Sequence, residues 1–169
     1  MSGAAEITGF VPDAENTRLL RDAFGRFTTG VTIVTVAGED GPVAITANSF
    51  SSLSLDPPLV LWSPDKGSRR FGHFAHATNY VIHVLAADQA DLCFGVSKDA
   101  WTLGAHDLEL NAAGVPVIPG ALARFDCTRE ATHEGGDHVI VVGRVDRCEL
   151  RDGAPLVFYA GKTVRLAQD

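Results

Sequence analysis

The run Asn48-Ser49-Phe50-Ser51-Ser52-Leu53-Ser54 carries five short hydroxyl or amide side chains in seven residues, just ahead of Asp56-Pro57-Pro58. Such a run offers many neutral hydrogen-bonding groups in little space, which suits a ligand with a polar heterocycle edge and a phosphate tail. The polar loop that follows, Ser63 to Arg70, brings Ser68, Arg69 and Arg70. A guanidinium fork grips phosphate bidentately, so this loop could add the charged end of the same site. Serine and asparagine also bond their own backbone in ordinary turns. The residue pattern leaves both readings, ligand site and plain turn, open.

Other suggestive patterns fail on their own chemistry. Gly161-Lys162-Thr163 ends like a phosphate-binding P-loop, but the glycine required five positions earlier is Leu156, and no room remains for the helix that should follow. His133-Glu134-Gly135-Gly136-Asp137-His138 has one residue too many for a zincin helix, and two adjacent glycines would break that helix. His73 and His76 stand three apart on an expected helix without a third ligand nearby, which fits a solvated helix face better than a metal. No G-x-S-x-G elbow and no G-x-G-x-x-G after a strand occurs, so neither an α/β-hydrolase nor a parallel-sheet dinucleotide fold is expected.

These residues need elements to position them. At 169 residues the chain suits one domain with a real core, and its 46% apolar and 21% charged residues are ordinary for a globular protein. A loose arm is expected over 1–15, then a single domain over 16–169. Leu20, Phe24 and Phe27 recur at helical spacing, predicting a helix from Asn16 to Thr29 ended by Gly30. The β-branched run Val31 to Val36, the turn Glu39 to Pro42 and the stretch Val43 to Ala47 predict a hairpin. Asn48 to Ser54 reads as a loop. Strands are expected at 59–62, 80–85, 123–130, 138–150 and 155–159, with short helices at 71–77 and from Asp88 to about Gly95. Residues 96–120, rich in Gly, Asn and Pro, carry no clear pattern. Many short strands with few helices predict a mainly β fold, an antiparallel barrel with an N-terminal helix and a few short peripheral helices.

Charge and cysteine content exclude whole classes of partner. The net charge of −7 (14 basic, 21 acidic), with no dense basic cluster, argues against nucleic acid. The longest apolar runs, such as Val139 to Val142, are far too short to span a bilayer, so no membrane is expected. No basic segment followed by an apolar one opens the chain. Cys93, Cys127 and Cys148 are an odd number without close spacing, which suggests buried thiols in a reducing compartment and a cytoplasmic protein.

Two long segments carry a resemblance. Phe27-Thr28-Thr29-Gly30-Val31-Thr32-Ile33-Val34-Thr35 and Thr46-Ala47-Asn48-Ser49-Phe50-Ser51-Ser52-Leu53-Ser54-Leu55-Asp56-Pro57-Pro58-Leu59 resemble the flavin reductase family, the reductase component of two-component flavin-dependent monooxygenases. Shorter matches follow in order: Val84-Leu85-Ala86, Phe125-Asp126-Cys127, Gly135-Gly136-Asp137-His138, Gly143-Arg144-Val145 and Pro155-Leu156-Val157-Phe158-Tyr159.

The resemblance implies a split β-barrel of the FMN-binding type, a homodimer, FMN or FAD as flavin, NADH or NADPH as reductant, and a monooxygenase as the consumer of reduced flavin. By similarity, Thr46, Asn48, Ser49, Ser51, Ser52 and Ser54 hold the flavin ring and ribityl region, while Ser63, Ser68 and Arg69 lie on the phosphate side. Asp137 and His138 lie beside the nicotinamide, His138 being the catalytic residue, and no metal is implied. The alternatives are a flavin-binding barrel that reduces iron or quinones, or a carrier or sensor of flavin or haem. Two departures stand out: Thr163 where relatives often have tyrosine, and His83 where asparagine is usual.

Overall fold

The computed structural model describes residues 7, 9–105 and 108–166. The expected N-terminal arm therefore lies partly outside the described residues. Its last part is held by a reciprocal turn, the Asn16 N–H donating to Asp13 Oδ1 (3.0 Å) and the Asp13 N–H to Asn16 Oδ1 (3.1 Å). This turn leads into α1 (Thr17–Phe24), β1 (Thr29–Gly30), β2 (Thr32–Gly38), β3 (Gly41–Ala47), β4 (Ser51–Leu55) and β5 (Pro58–Trp62). Then come α2 (Phe71–His76), β6 (Asn79–Val84), α3 (Ala90–Lys98), β7 (Ala123–Gly135), β8 (His138–Leu150), β9 (Val157–Tyr159) and β10 (Lys162–Val164).

Seven strands form one antiparallel sheet in the order β3-β2-β6-β7-β8-β5-β4, and β1-β9-β10 form a small second sheet. The chain passes from one edge of the large sheet to the other through only Asn48, Ser49 and Phe50. Four Cα–Cα steps of 3.8 Å reach at most about 15 Å. Six inter-strand spacings of about 4.8 Å would separate those edges by about 29 Å in a flat sheet. The sheet must therefore curl until its edges come within reach of that link, giving an antiparallel split barrel that stays open at a seam between β3 and β4.

Both faces of the curled sheet are buried along residues 32–36 of β2, which is why all five are β-branched. Val34 and Val36 pack inward with Val60, Trp62, Phe74, Tyr80, Ile82 and Val141. Val31 and Ile33 face outward, under α3, against Leu85, Cys93, Val96, Leu103 and Ile118. Gly143 on β8 is demanded by the inner core, because a Cβ there would lie 1.9 Å from the Tyr80 hydroxyl oxygen. Gly136, at φ +72°, opens the two-residue turn that pairs Gly135 with His138.

Several expectations need correcting. The first helix stops at Phe24, not Thr29, because Thr29 and Gly30 pair with Phe158 and Val157 in the small sheet. Among the described residues its apolar stripe is not covered: α1 has no buried residue, Leu20 is only half-buried, and Phe24 and Phe27 are 69% and 78% exposed. The serine-rich loop is mostly strand, since Ser51 to Leu55 pair with β5 around a bulge at Leu53. The helix expected from Asp88 begins as a 3-10 turn at Ala87 and runs on to Lys98, the Gln89 side chain accepting the Ala86 N–H (3.0 Å). β7 continues to Gly135, and β10 extends the fold past the last expected strand.

Candidate functional site

Three pieces of chain meet at the seam: the end of β3 with its short link, the end of β5 with the loop after it, and the first residue of β8. They enclose a cavity of about 160 Å³ lined by Thr46, Asn48, Ser49, Trp62, Ser63 and His138, among others. The curl of the sheet brings these residues together, although up to 92 positions separate Thr46 from His138 in sequence.

Two of the hydroxyls are committed to the frame. Ser49 Oγ accepts the Ser63 N–H (2.9 Å) and donates to the Ser63 carbonyl (3.3 Å), stapling the link to the end of β5. Thr46 Oγ1 donates to the Cys93 carbonyl of α3 (3.3 Å). The Asn48 amide has no hydrogen-bonded partner among the described residues and stays available at the cavity wall.

His138 is aimed by the hairpin tip. The Lys66 N–H donates to the Asp137 carbonyl (2.9 Å), Lys66 Nζ donates to the Gly136 carbonyl (2.7 Å) and pairs with Glu134, and the Val139 N–H donates to the Pro64 carbonyl (3.1 Å). The 63–70 loop and the hairpin are thus clamped together. His138 Nδ1 lies 2.8 Å from Asp137 Oδ1. A carboxylate only accepts, so Nδ1 carries the proton and Nε2 is left for the cavity. The bond from His138, and then its charge, hold the Asp137 carboxyl below its ordinary range.

The remaining residues sit elsewhere. Ser51 and Ser52 are exposed on the edge strand β4 and Ser54 is partly buried there, none of them lining this cavity. Ser68 lies in the turn that leads into α2, its hydroxyl accepting the Arg70 N–H (3.2 Å) and its carbonyl the Phe71 N–H (3.0 Å). Arg69 lines a second cleft of about 240 Å³ with Arg70, His73, Lys98 and Trp101. Of these, Lys98 and Trp101 fall in or beside the stretch that carries no motif.

His83 is a wall residue, fully buried on the outer face. Its Nδ1–H donates to the Ile33 carbonyl (3.1 Å) and its Nε2 accepts the Ile118 N–H (3.0 Å). Burial, opposed only in part by the bond to Ile33, lowers its pKa to about 4. Thr35 beside it donates to the Pro116 carbonyl (2.6 Å). The cysteines are free thiols, and burial pushes that of Cys127 up to about 12. Among the described residues no three His, Cys, Asp or Glu side chains gather as a metal site, and no helix is long and apolar enough to cross a membrane.

A curled antiparallel sheet with a polar cavity at its seam and a cationic cleft beside it is a split barrel built to take a small polar ligand. Residues 24–167 match the flavin reductase like domain, and the chain belongs to that family. It is 52% identical over 159 residues to the FMN reductase (NADH) SmoA of Agrobacterium fabrum, covering 94% of this chain and 91% of the other. It is 37% identical over 171 residues to HsaB of Rhodococcus jostii, the reductase subunit of a flavin-dependent monooxygenase, covering 98% and 87%. Among solved structures, the NADH:FAD oxidoreductase SgcE6 of Streptomyces globisporus superposes with a TM-score of 0.87 at 34% identity, covering 97% of this chain and 95% of that one.

Proposed function

We infer that this chain is an NADH-dependent flavin reductase that hands reduced flavin to a separate monooxygenase. The observation that carries this reading is the convergence at the seam of Asn48, Ser63 and the Nε2 of His138, with Arg69 in a cationic cleft on the same loop. The donor set fits a flavin. Neutral amide, hydroxyl and backbone groups suit the polar edge of the ring, and cations suit its phosphate.

A bound flavin supplies the redox chemistry, accepting a hydride from the nicotinamide. The chain's task is to hold two flat rings face to face and keep water out. Asn48 serves the flavin ring, Thr46 and Ser49 fix the backbone that presents it, and Ser51, Ser52 and Ser54 serve the ribityl region from the edge strand β4, outside the cavity wall. Ser63, Ser68 and Arg69 serve the phosphate side. Asp137 fixes the imidazole tautomer, and His138 orients the nicotinamide or holds a proton at Nε2.

NADH rather than NADPH is favoured by the state of the arginines. Arg129 donates to the Ala75 carbonyl, Arg144 pairs with Glu130 (3.7 Å) and Asp146 (3.4 Å), and Arg70 is bonded to two carbonyls. Of the arginines that could meet a 2′-phosphate, that leaves only Arg69 without a partner among the described residues. A homodimer is the expected assembly. The exposed Phe24 and Phe27 border a cavity of about 610 Å³ that also touches Asn48, so a second copy seated there would cover apolar surface beside the site. Free thiols suit a reducing cytoplasm.

Anaerobic mixing of the purified chain with excess NADH and free FMN, FAD or riboflavin tests this reading. Many turnovers of flavin per chain are expected, with NADH preferred to NADPH. A protein that binds flavin but passes no hydride to it would be a carrier instead.

A further inference from the structure

Lys66 stands between the two halves of the site without lining either. It lies midway along the 63–70 loop, whose Ser63, Ser68 and Arg69 are assigned to the flavin. Across from it the β7–β8 turn carries Asp137 and His138, assigned to the nicotinamide. The Lys66 side chain lines neither the ring cavity nor the cleft beside it. Whatever it does for the reaction, it does through other residues.

The backbone already joins loop and hairpin. The Lys66 N–H donates to the Asp137 carbonyl and the Val139 N–H to the Pro64 carbonyl, flanking an isolated antiparallel pairing of Asp65 with His138. The ammonium reaches past that pairing to the turn itself, where Nζ donates to the Gly136 carbonyl (2.7 Å) and pairs with Glu134. Gly136 is the left-handed residue of the turn, at φ +72°, and its carbonyl belongs to the peptide that leads into Asp137. Holding that carbonyl fixes the plane from which the Asp137 side chain departs.

Asp137 has little else to hold it. Its side chain is 89% exposed, so no packing sets its rotamer, and its bond to His138 Nδ1 (2.8 Å) depends on where the turn leaves it. Charge works in the same direction. Within 63–68 and 133–138 Lys66 is the only lysine or arginine, against Asp65, Glu134 and Asp137. The bond from His138 is the largest influence holding the Asp137 carboxyl low, and the Lys66 ammonium adds to it. An ionised Asp137 can only accept, which keeps the ring proton on Nδ1.

We propose that Lys66 is a positioning residue for NADH oxidation. Its side chain fixes the Gly136–Asp137 peptide and, through Asp137, holds the His138 imidazole as the Nδ1–H tautomer with Nε2 toward the cavity. The role in turnover rests on the flavin-reductase reading, whereas the hold on the imidazole belongs to the chain without ligand. Glu134 is the lesser partner: it steadies the ammonium, but the bond to Gly136 remains without it.

Two measurements on the full chain test this: 15N NMR of the imidazoles without ligand, and steady-state NADH oxidation with FMN. At about pH 8, above the ordinary imidazole pKa, the wild-type His138 ring should be protonated on Nδ1, its signal assigned by its loss in His138→Ala. Lys66→Met should move the ring toward mixed tautomers and lower kcat about three- to tenfold, with flavin affinity and melting temperature little changed. Lys66→Arg should restore most of both, and Glu134→Gln should do less harm than Lys66→Met. In a His138→Ala background Lys66→Met should lower kcat no further. An imidazole spectrum that Lys66→Met leaves unmoved overturns the proposal, as does an equal loss of kcat with and without His138. A loss confined to the KM for NADH would make Lys66 an attractor of the anionic dinucleotide, and also overturns it. Wild-type protein that turns over no flavin sinks the reductase reading whatever the spectra show.

Discussion

The outer face of the barrel beneath residues 115–118 and the seam between β3 and β4 both bring polar side chains into a largely apolar fold, and they treat them in opposite ways. Under the outer segment every key polar atom is matched within the chain. His83 has a partner on each ring nitrogen, and Thr35 bonds the Pro116 carbonyl. At the seam Asn48 and His138 line one open cavity, and Arg69 and Lys98 line the cleft beside it. An unpaired buried polar group costs free energy, so a fold keeps unmatched groups where a ligand or water can reach them. Matched polar groups mark architecture, and convergent unmatched ones mark the site.

The sharpest break in the architecture is expected at Gly143. A Cβ 1.9 Å from the Tyr80 hydroxyl oxygen and 2.8 Å from its ring carbon cannot be absorbed without moving β8 against β6. Gly143→Ala should cost about 3 kcal/mol or more, at the upper end of overpacking effects. The Tyr80 hydroxyl has no hydrogen-bond partner among the described residues, so Tyr80→Phe alone should be nearly neutral, and combined with Gly143→Ala it should recover part of the loss. Denaturant unfolding of the four proteins closes the cycle; no recovery would mean that the ring rather than the hydroxyl sets the limit.

His83 comes next. His83→Leu orphans the Ile33 carbonyl and the Ile118 N–H, and should cost roughly 2–4 kcal/mol. The wild type also carries a pH signature there. The folded pKa, about 4, lies below the ordinary 6.5, so the unfolded chain binds the extra proton first as pH falls. This contribution is complete above about pH 6.5 and is lost as pH drops toward 4, by roughly 3 kcal/mol. Unfolding free energies from pH 7 to 4 should therefore fall less steeply in His83→Leu than in wild type. Parallel profiles would mean that the buried imidazole is not what resists acid.

At the seam the effects should appear in turnover before stability. His138→Ala removes the only imidazole that lines the ring cavity among the described residues, and kcat for NADH oxidation should fall about ten- to a hundredfold while flavin affinity changes little. Asp137→Asn keeps a hydrogen bond to the imidazole but not the obligatory acceptor, so a smaller fall in kcat is expected. Equal losses of kcat and of flavin affinity in His138→Ala would make His138 another architectural residue.

The two regions also differ in how far the sequence revealed them. The β-branched run at 31–36 follows from composition because burial on both faces demands it, and the hairpin after it and the strands at 59–62 and 138–150 follow from their extended apolar pattern and turn signals. The seam itself is a topological fact: only the curl forced by the link 48–50 places Thr46 beside His138, and no local pattern reports it. The serines of β4 look like loop residues because an edge strand with exposed side chains has little apolar alternation. The stripe on α1 misled in the other direction, promising a packed helix where none of its residues is buried among the described residues. His83, Thr35, Lys98 and Trp101 have no signature at all, since each takes its role from a partner distant in sequence or from its place beside a cleft.

Ser49 is the residue on which the two regions overlap, and the smallest expected effect is the most telling. It sits in the seam but is wired like the outer face, its hydroxyl both accepting from and donating to the Ser63 backbone. Ser49→Ala should lower stability by about 1 kcal/mol, a fall of roughly 2–4 °C in melting temperature for a chain of this size. Flavin affinity should weaken only a few-fold, because the cavity wall loosens without losing a contact, and Ser49→Thr should restore much of both. A large loss of flavin affinity with no change in melting temperature would show that the hydroxyl reaches the ligand directly. Ser49 would then join Asn48 among the unmatched groups, and a hydrogen bond to the frame would no longer be enough to tell architecture from site.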